Sequence, residues 1–158
     1  MISLQPMTQA ELDAYLERVI PEYADEHVKA GNWQAEGALE RSRQEFAELL
    51  PQGVNSPGQY IYAIHDDVSE KNIGMLWFAD RSEPEKCAWI YDIVIEQEYR
   101  GRGYGAQAMR ALEDKVRAVG LEKISLHVFG NNHAARHLYQ NMGYAETNVL
   151  MSKNLTKE

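Results

Sequence analysis

Ile93-Val94-Ile95-Glu96-Gln97-Glu98-Tyr99-Arg100-Gly101-Arg102-Gly103-Tyr104-Gly105-Ala106 runs from an apolar triplet through a charged turn into a glycine-rich segment. The β-branched triplet predicts the end of a strand. The glycines let the backbone take positive φ and approach a ligand closely. A helix opening behind them would present unpaired N–H groups and a positive dipole end, which together favour phosphate. Arg100 and Arg102 add full positive charge in a chain of formal net charge −8. The residues therefore fit a pyrophosphate cradle, and equally a tight strand-to-helix turn with solvated arginines. A P-loop is excluded, because no Gly-Lys-Ser/Thr is present. A dinucleotide fingerprint is matched formally by Gly101, Gly103 and Ala106. It would need an acid at the end of the next strand. Here the candidate, Glu122, precedes that strand, and too little chain remains for a doubly wound sheet.

Downstream, Met109, Leu112, Val116 and Val119 make the inner stripe of a helix over about 103–119, and Gly120 is a natural stop. Residues 123–129 read as a strand, 133–142 as a short helix, and 144–153 as a strand that closes the sheet. Upstream, residues 2–7 read as a strand. Thr8-Gln9-Ala10-Glu11 then has the capping-box form, with a hydroxyl at the cap and a carboxylate three residues on. Leu12, Tyr15, Leu16, Val19, Ile20 and Tyr23 follow at helical spacing, with Pro21 expected to kink or interrupt the helix. A second helix is expected over 35–50, with Leu39, Phe46, Leu49 and Leu50 on its apolar side. Strands over 59–65, 72–79 and 87–95 complete the series. The first two are apolar on both faces, which implies a sheet covered on both sides. The expectation is an α/β (α+β) fold: one domain, residues 1–158, with a mixed sheet and helices on both faces.

Arg100-x-x-Gly103-x-Gly105 resembles the Arg/Gln-x-x-Gly-x-Gly/Ala motif of the GNAT superfamily of N-acetyltransferases. Asn132-x-x-Ala135-x-x-Leu138-Tyr139-x-x-x-Gly143-Tyr144 is similar to that family's second segment, and one helix and one strand fit between the two. The match covers about residues 87–146, the cofactor-binding core. Residues 1–58 carry no family motif and read as a variable acceptor-side region. The resemblance implies a mostly antiparallel sheet of about six or seven strands, splayed at the fourth. It also implies acetyl-CoA as co-substrate and direct transfer of its acetyl group to a primary amine in a ternary complex. On this reading the pantetheine arm pairs with the backbone of Ile93 and Ile95, and an N–H near Val94 faces the developing oxyanion. The pyrophosphate rests on Arg100, Gly101, Arg102, Gly103, Tyr104, Gly105 and Ala106. Asn132 caps the short helix or touches the cofactor, and Tyr139 gives a hydrogen to the departing sulfur. His127, on the strand before Asn132, is where some relatives carry a base. Asp92 and Glu96 are alternative bases or anchors for an ammonium group. Trp33, Tyr60, Tyr62, Trp77 and Tyr91 are aromatic candidates for core or acceptor pocket, while His27, His65, His133 and His137 read as surface residues.

The chain has 158 residues, 44% apolar and 25% charged, which is globular composition. The acidic balance disfavours nucleic-acid phosphates. The N-terminal stretch does not have the form of a signal peptide and no apolar run has membrane-spanning length, so a cytoplasmic protein without membrane contact is expected. Cys87 is the single cysteine and no Cys/His cluster has zinc spacing. A buried thiol and a metal-free site are the expectation. The resemblance admits a homodimer. The alternative function is a non-catalytic CoA-binding sensor or interaction module of the same fold.

Overall fold

A computed structural model describes residues 1–81 and 85–156. The elements are β1 (Ile2–Pro6), α1 (Gln9–Lys29), α2 (Ala38–Leu49), β2 (Gln59–Asp66), β3 (Lys71–Arg81), β4 (Cys87–Ile95), α3 (Tyr104–Ala118), β5 (Lys123–Leu126) and α4 (His133–Asn141). Single 3-10 turns stand at Gly53–Asn55 and Gln97–Tyr99. The chain divides into two compact units, one ending at His127 and the other beginning at Val128.

The first unit holds the sheet, in the order β1-β2-β3-β4-β5. The pairings β1–β2, β2–β3 and β3–β4 are antiparallel, and β4–β5 is parallel. The sheet is therefore mixed and mostly antiparallel, with five strands among the described residues instead of six or seven. One reason is the segment 144–153, which forms no strand; Leu150 and Met151 are 87% and 84% exposed. A strand exists only in a ladder, and among the described residues its own unit contains no second strand to pair with. The fifth strand is also shorter than the expected 123–129. Its ladder stops at Ile90↔Leu126, where β4 bulges.

Adjacent residues of β3 face opposite sides, and both sides are covered. Trp77 packs in one core cluster with Leu12 and Tyr15 of α1 and Phe46 of α2. Phe78 stacks with Tyr60 and Tyr62 on the other side, where Lys115 of α3 lies over the Tyr62 ring. Tyr60 and Tyr62 thus belong to the α3 side, and Trp77 is core, only 1% exposed.

The capping box at the start of α1 is formed in both directions. Glu11 N–H donates to Thr8 Oγ1 at 3.2 Å, and Thr8 N–H donates to Glu11 Oε1 at 2.9 Å. Of the two expectations for Pro21, interruption is not met, since α1 runs through it from Gln9 to Lys29. Pro21 and Glu17 are both exposed, so the carbonyl that loses its N–H partner meets water. The apolar stripe continues on both sides of the proline. On α2, Leu39 is 44% exposed, not part of the apolar side. Ser42 is fully buried instead and donates to the Ile20 carbonyl at 2.7 Å, tying α2 to α1. Among the described residues, no helix is long and apolar enough to cross a membrane.

Candidate active site

β4 is the strand on which the first unit's functional features converge. Trp77 and Phe78 of β3 face Asp92 and Ile90, so Tyr91 is the extra residue of a β-bulge. On its other side β4 pairs with β5 only from Cys87 to Ile90. Beyond the bulge, Tyr91–Ile95 keep β3 on one side and, among the described residues of the first unit, have no partner strand on the other. The direction of each backbone group follows from one bond. Glu96 N–H donates to the Ile73 carbonyl at 2.8 Å, so that pair is hydrogen-bonded. Alternation then turns Val94 and Asp92 toward β3 and turns Ile93 and Ile95 outward. The amides near Val94 that point off the ladder are therefore those of Ile93 and Ile95. The outward Ile95 carbonyl already accepts from Arg100 Nε at 2.7 Å.

Gly74, opposite Ile95, keeps this geometry. A Cβ built there would overlap the Val94 carbonyl oxygen and crowd the Ile95 backbone. Its φ is not positive, so the requirement is for close approach alone.

The turn after β4 adopts the conformations its glycines permit. Gly101 has φ +77° and Gly103 has φ +82°, and Gly103 is the left-handed N-cap of α3. The first bond of the helix runs from Gln107 N–H to the Gly103 carbonyl at 3.2 Å. The amides of Tyr104, Gly105 and Ala106 consequently have no partner within the helix. Among the described residues, no heavy atom outside the immediate chain neighbours lies within 4 Å of a Cβ built on Gly101 or Gly103, so a group placed there meets no described neighbour. Arg102 lies exposed with its guanidinium 5.9 Å from the Tyr99 ring. Open space, oriented amides and positive charge suit a phosphate or pyrophosphate.

On the α1 side of β4, Tyr15 hydroxyl donates to Asp92 Oδ2 at 2.6 Å. Burial pushes the Asp92 carboxyl up, against the bond from Tyr15, a backbone bond from Ile93 and the charge of Arg18, which pull it down. Burial also raises the Tyr15 phenol well above its usual range. Glu26 is raised by desolvation, then by Asp92 and Glu22. Further along, His27 stacks on Trp33 with ring centroids 4.2 Å apart, and Arg41 covers Trp33 at 4.4 Å. His27 is half-buried in an aromatic group instead of standing on the surface, and desolvation lowers its pKa. Tyr91 packs on Trp77 at 4.6 Å and accepts from Arg81 at 2.8 Å.

His127 closes the first unit. It lies beyond the end of β5 and is exposed, and its charge contributes to lowering His27. Glu96 is exposed just past β4. Cys87 is half-buried, with its thiol 3.5 Å from Ser125 Oγ. The second unit contains Asn132 and Tyr139. Asn132 Oδ1 accepts from Ala135 N–H at 3.1 Å, so it caps α4 as expected. Tyr139 is half-buried with its ring 6.0 Å from that of Tyr144. Among the described residues no group of three or more His, Cys, Asp or Glu side chains is placed to hold a metal ion.

The sequence did not disclose Tyr15, Gly74 or the bond from Arg100 to Ile95. Tyr15 lies within an apolar helical stripe and reads as core, and its partner is 77 positions away. A glycine required by backbone approach across strands leaves no local signal.

The profile of the Acetyltransferase (GNAT) family matches residues 15–144. The chain is 43% identical to the uncharacterised N-acetyltransferase YycN of Bacillus subtilis (strain 168) over 156 residues, covering 98% of this chain and 99% of YycN. The crystal structure of Bacillus subtilis YycN superposes with a TM-score of 0.91 at 41% identity, over 98% of this chain and 99% of that one. Spermidine N-acetyltransferase from Vibrio cholerae, solved in complex with CoA and spermine, shares the fold. Its TM-score is 0.68 at 20% identity, over 96% of this chain and 85% of that one. With a family profile matched over most of its length and a relative of this identity spanning nearly all of it, the chain belongs to the GNAT acetyltransferase family.

Proposed function

We propose that this protein is an acetyl-CoA-dependent N-acetyltransferase acting on a primary amine by direct attack. The observation that carries the reading is the conjunction on one strand-turn-helix. The unpaired edge Tyr91–Ile95 runs into a turn whose two left-handed glycines open α3 toward empty space. The residues fit the co-substrate in chemistry. The outward Ile93 carbonyl suits an amide-bearing arm, and the amides of Tyr104–Ala106 with Arg102 suit a pyrophosphate. Arg100, engaged on Ile95, fixes the turn against the strand end and retains two guanidinium nitrogens for phosphate.

Acetyl-CoA supplies the activated thioester carbonyl. The chain's residues then do three things. The outward Ile95 amide beside Val94 offers a donor to the carbonyl oxygen as it gains charge, while the Ile93 amide is bound to the Asp92 carboxylate. The hydroxyl of Tyr139, by its position in the second motif, gives a hydrogen bond or proton to the sulfur. A base takes the proton of an amine that is mostly ammonium at neutral pH. His127 is the base suggested by the motif spacing. The acceptor is a small-molecule or peptide amine; the spermidine N-acetyltransferase of the same fold is solved with CoA and spermine.

The cofactor half of this reading is tested by calorimetry. Acetyl-CoA and CoA are expected to bind, with NAD and ATP much weaker. Gly103→Val is expected to abolish binding, because φ near +82° strains a β-branched residue and its side chain fills the open space over the turn. Tighter binding of NAD than of CoA would overturn it.

A further inference from the structure

We infer that Asp92, held by the hydroxyl of Tyr15, is the carboxylate that takes the proton from the acceptor amine, with Tyr15 as its positioning residue. The inference rests on the acetyltransferase reading and deepens it by naming the base.

Position comes first. Asp92 is the first residue after the bulge at Tyr91, and it precedes Ile93, the first residue whose backbone groups face outward. It therefore stands where the unpaired edge begins. The Tyr15 hydroxyl at 2.6 Å and the Ile93 backbone bond fix the carboxylate, and a carboxylate has about four acceptor sites, so capacity remains for an ammonium proton.

The surroundings come second. Tyr15, Arg18, Glu22 and Glu26 are spaced three, four and four apart along α1, one stripe of that helix. All four exert an influence on, or receive one from, Asp92. Three carboxylates against one guanidinium leave this face negative, which favours an approaching ammonium group. Burial weakens the ionised form of Asp92 and brings its basicity toward what proton transfer near neutral pH requires. His127 differs in each respect. It is exposed beyond β5, and its charge acts on another imidazole, His27.

The protons balance. The bound ammonium gives one proton to Asp92 and becomes a neutral amine. Its nitrogen forms the C–N bond as the C–S bond breaks. The second nitrogen proton offsets the one acquired by the departing sulfur, and Asp92 returns its proton to solvent. The net products are the acetamide, the free thiol and one proton.

Two measurements test this. The first is a carbon-detected NMR titration of the Asp92 carboxyl in the unliganded protein and in Tyr15→Phe. Its midpoint is expected above the ordinary aspartate range, and higher still in Tyr15→Phe, since the phenol bond favours the ionised form. A midpoint in the ordinary range would overturn the inference. The second is the pH dependence of kcat/KM, using two amines of different pKa. Asp92→Asn is expected to lower kcat/KM by about 100-fold or more and to lose the acid limb, while binding CoA as the wild type does. Tyr15→Phe is expected to keep the limb but move it to higher pH. Loss of the limb in His127→Gln, with the limb kept in Asp92→Asn, would overturn the assignment in favour of His127. If Asp92→Asn binds CoA and keeps the wild-type rate and limb, this assignment fails alone. If the wild type does not bind acetyl-CoA, the acetyltransferase reading fails and the assignment with it.

Discussion

A carboxyl group whose pKa is pushed up by burial costs the folded state free energy at neutral pH, and Asp92 is such a group. Between the ordinary aspartate value and the raised one, the native protein holds more protons than the unfolded chain. Stability therefore falls as pH rises through that window, and the full penalty is present above it. Asn carries no charge to desolvate, and its side-chain oxygen still accepts from Tyr15. Asp92→Asn is thus expected to raise Tm at neutral pH, with the gain shrinking as pH falls toward the ordinary aspartate range. Thermal melts across that range check this, and a lower neutral-pH Tm in the variant would contradict it. The residue scale also separates what was legible from what was not. The demands on Gly101 and Gly103 are local, a φ that other residues resist, so the residue types announced them. Asn132 was legible for the same reason, as a cap at the start of a short helix. The Tyr15–Asp92 pair joins residues 77 apart, and nothing in either neighbourhood announces the other.

Among the elements, β4 sets the site because one extra residue at Tyr91 ends its pairing with β5 while leaving its pairing with β3 intact. The apolar run made the strand itself legible, but a bulge depends on register with a neighbour and is invisible in composition. The same limit explains β5. Ser125, His127 and Phe129 alternate as a strand would, yet the ladder ends at Leu126, opposite the last residue before the bulge of its partner. Pro21 is the converse case, a local rule overridden because tertiary packing holds both sides of the helix and the proline faces water. Gly74 carries the prediction at this scale. A methyl group there meets the Val94 carbonyl and pushes the end of β4 from β3. Gly74→Ala is expected to cost about 1–3 kcal/mol in denaturant unfolding. It should also weaken CoA binding, because the Ile93 and Ile95 groups turn with the strand. Unchanged stability and binding would show that the edge tolerates displacement.

For the molecule as a whole, the mixed sheet, its covered faces and the glycine turn that opens α3 were readable from periodicity and two spaced motifs. The strand count was not, because residues 144–153 have the composition of a strand without a partner in their own unit. The acidic balance matters at this scale as well. A net charge of −8 favours cationic ligands and disfavours polyanions away from the arginine-bearing turn. The central claim is that this chain moves an acetyl group from acetyl-CoA to an amine. Its most direct test is the release of free thiol from acetyl-CoA by the purified protein across a panel of primary amines, with the products weighed by mass spectrometry. The predicted result is thiol release that depends on added amine, with one acetylated amine formed per thiol. Thiol release indifferent to every amine, or acetyl-CoA left intact by a protein that binds it, would contradict the claim.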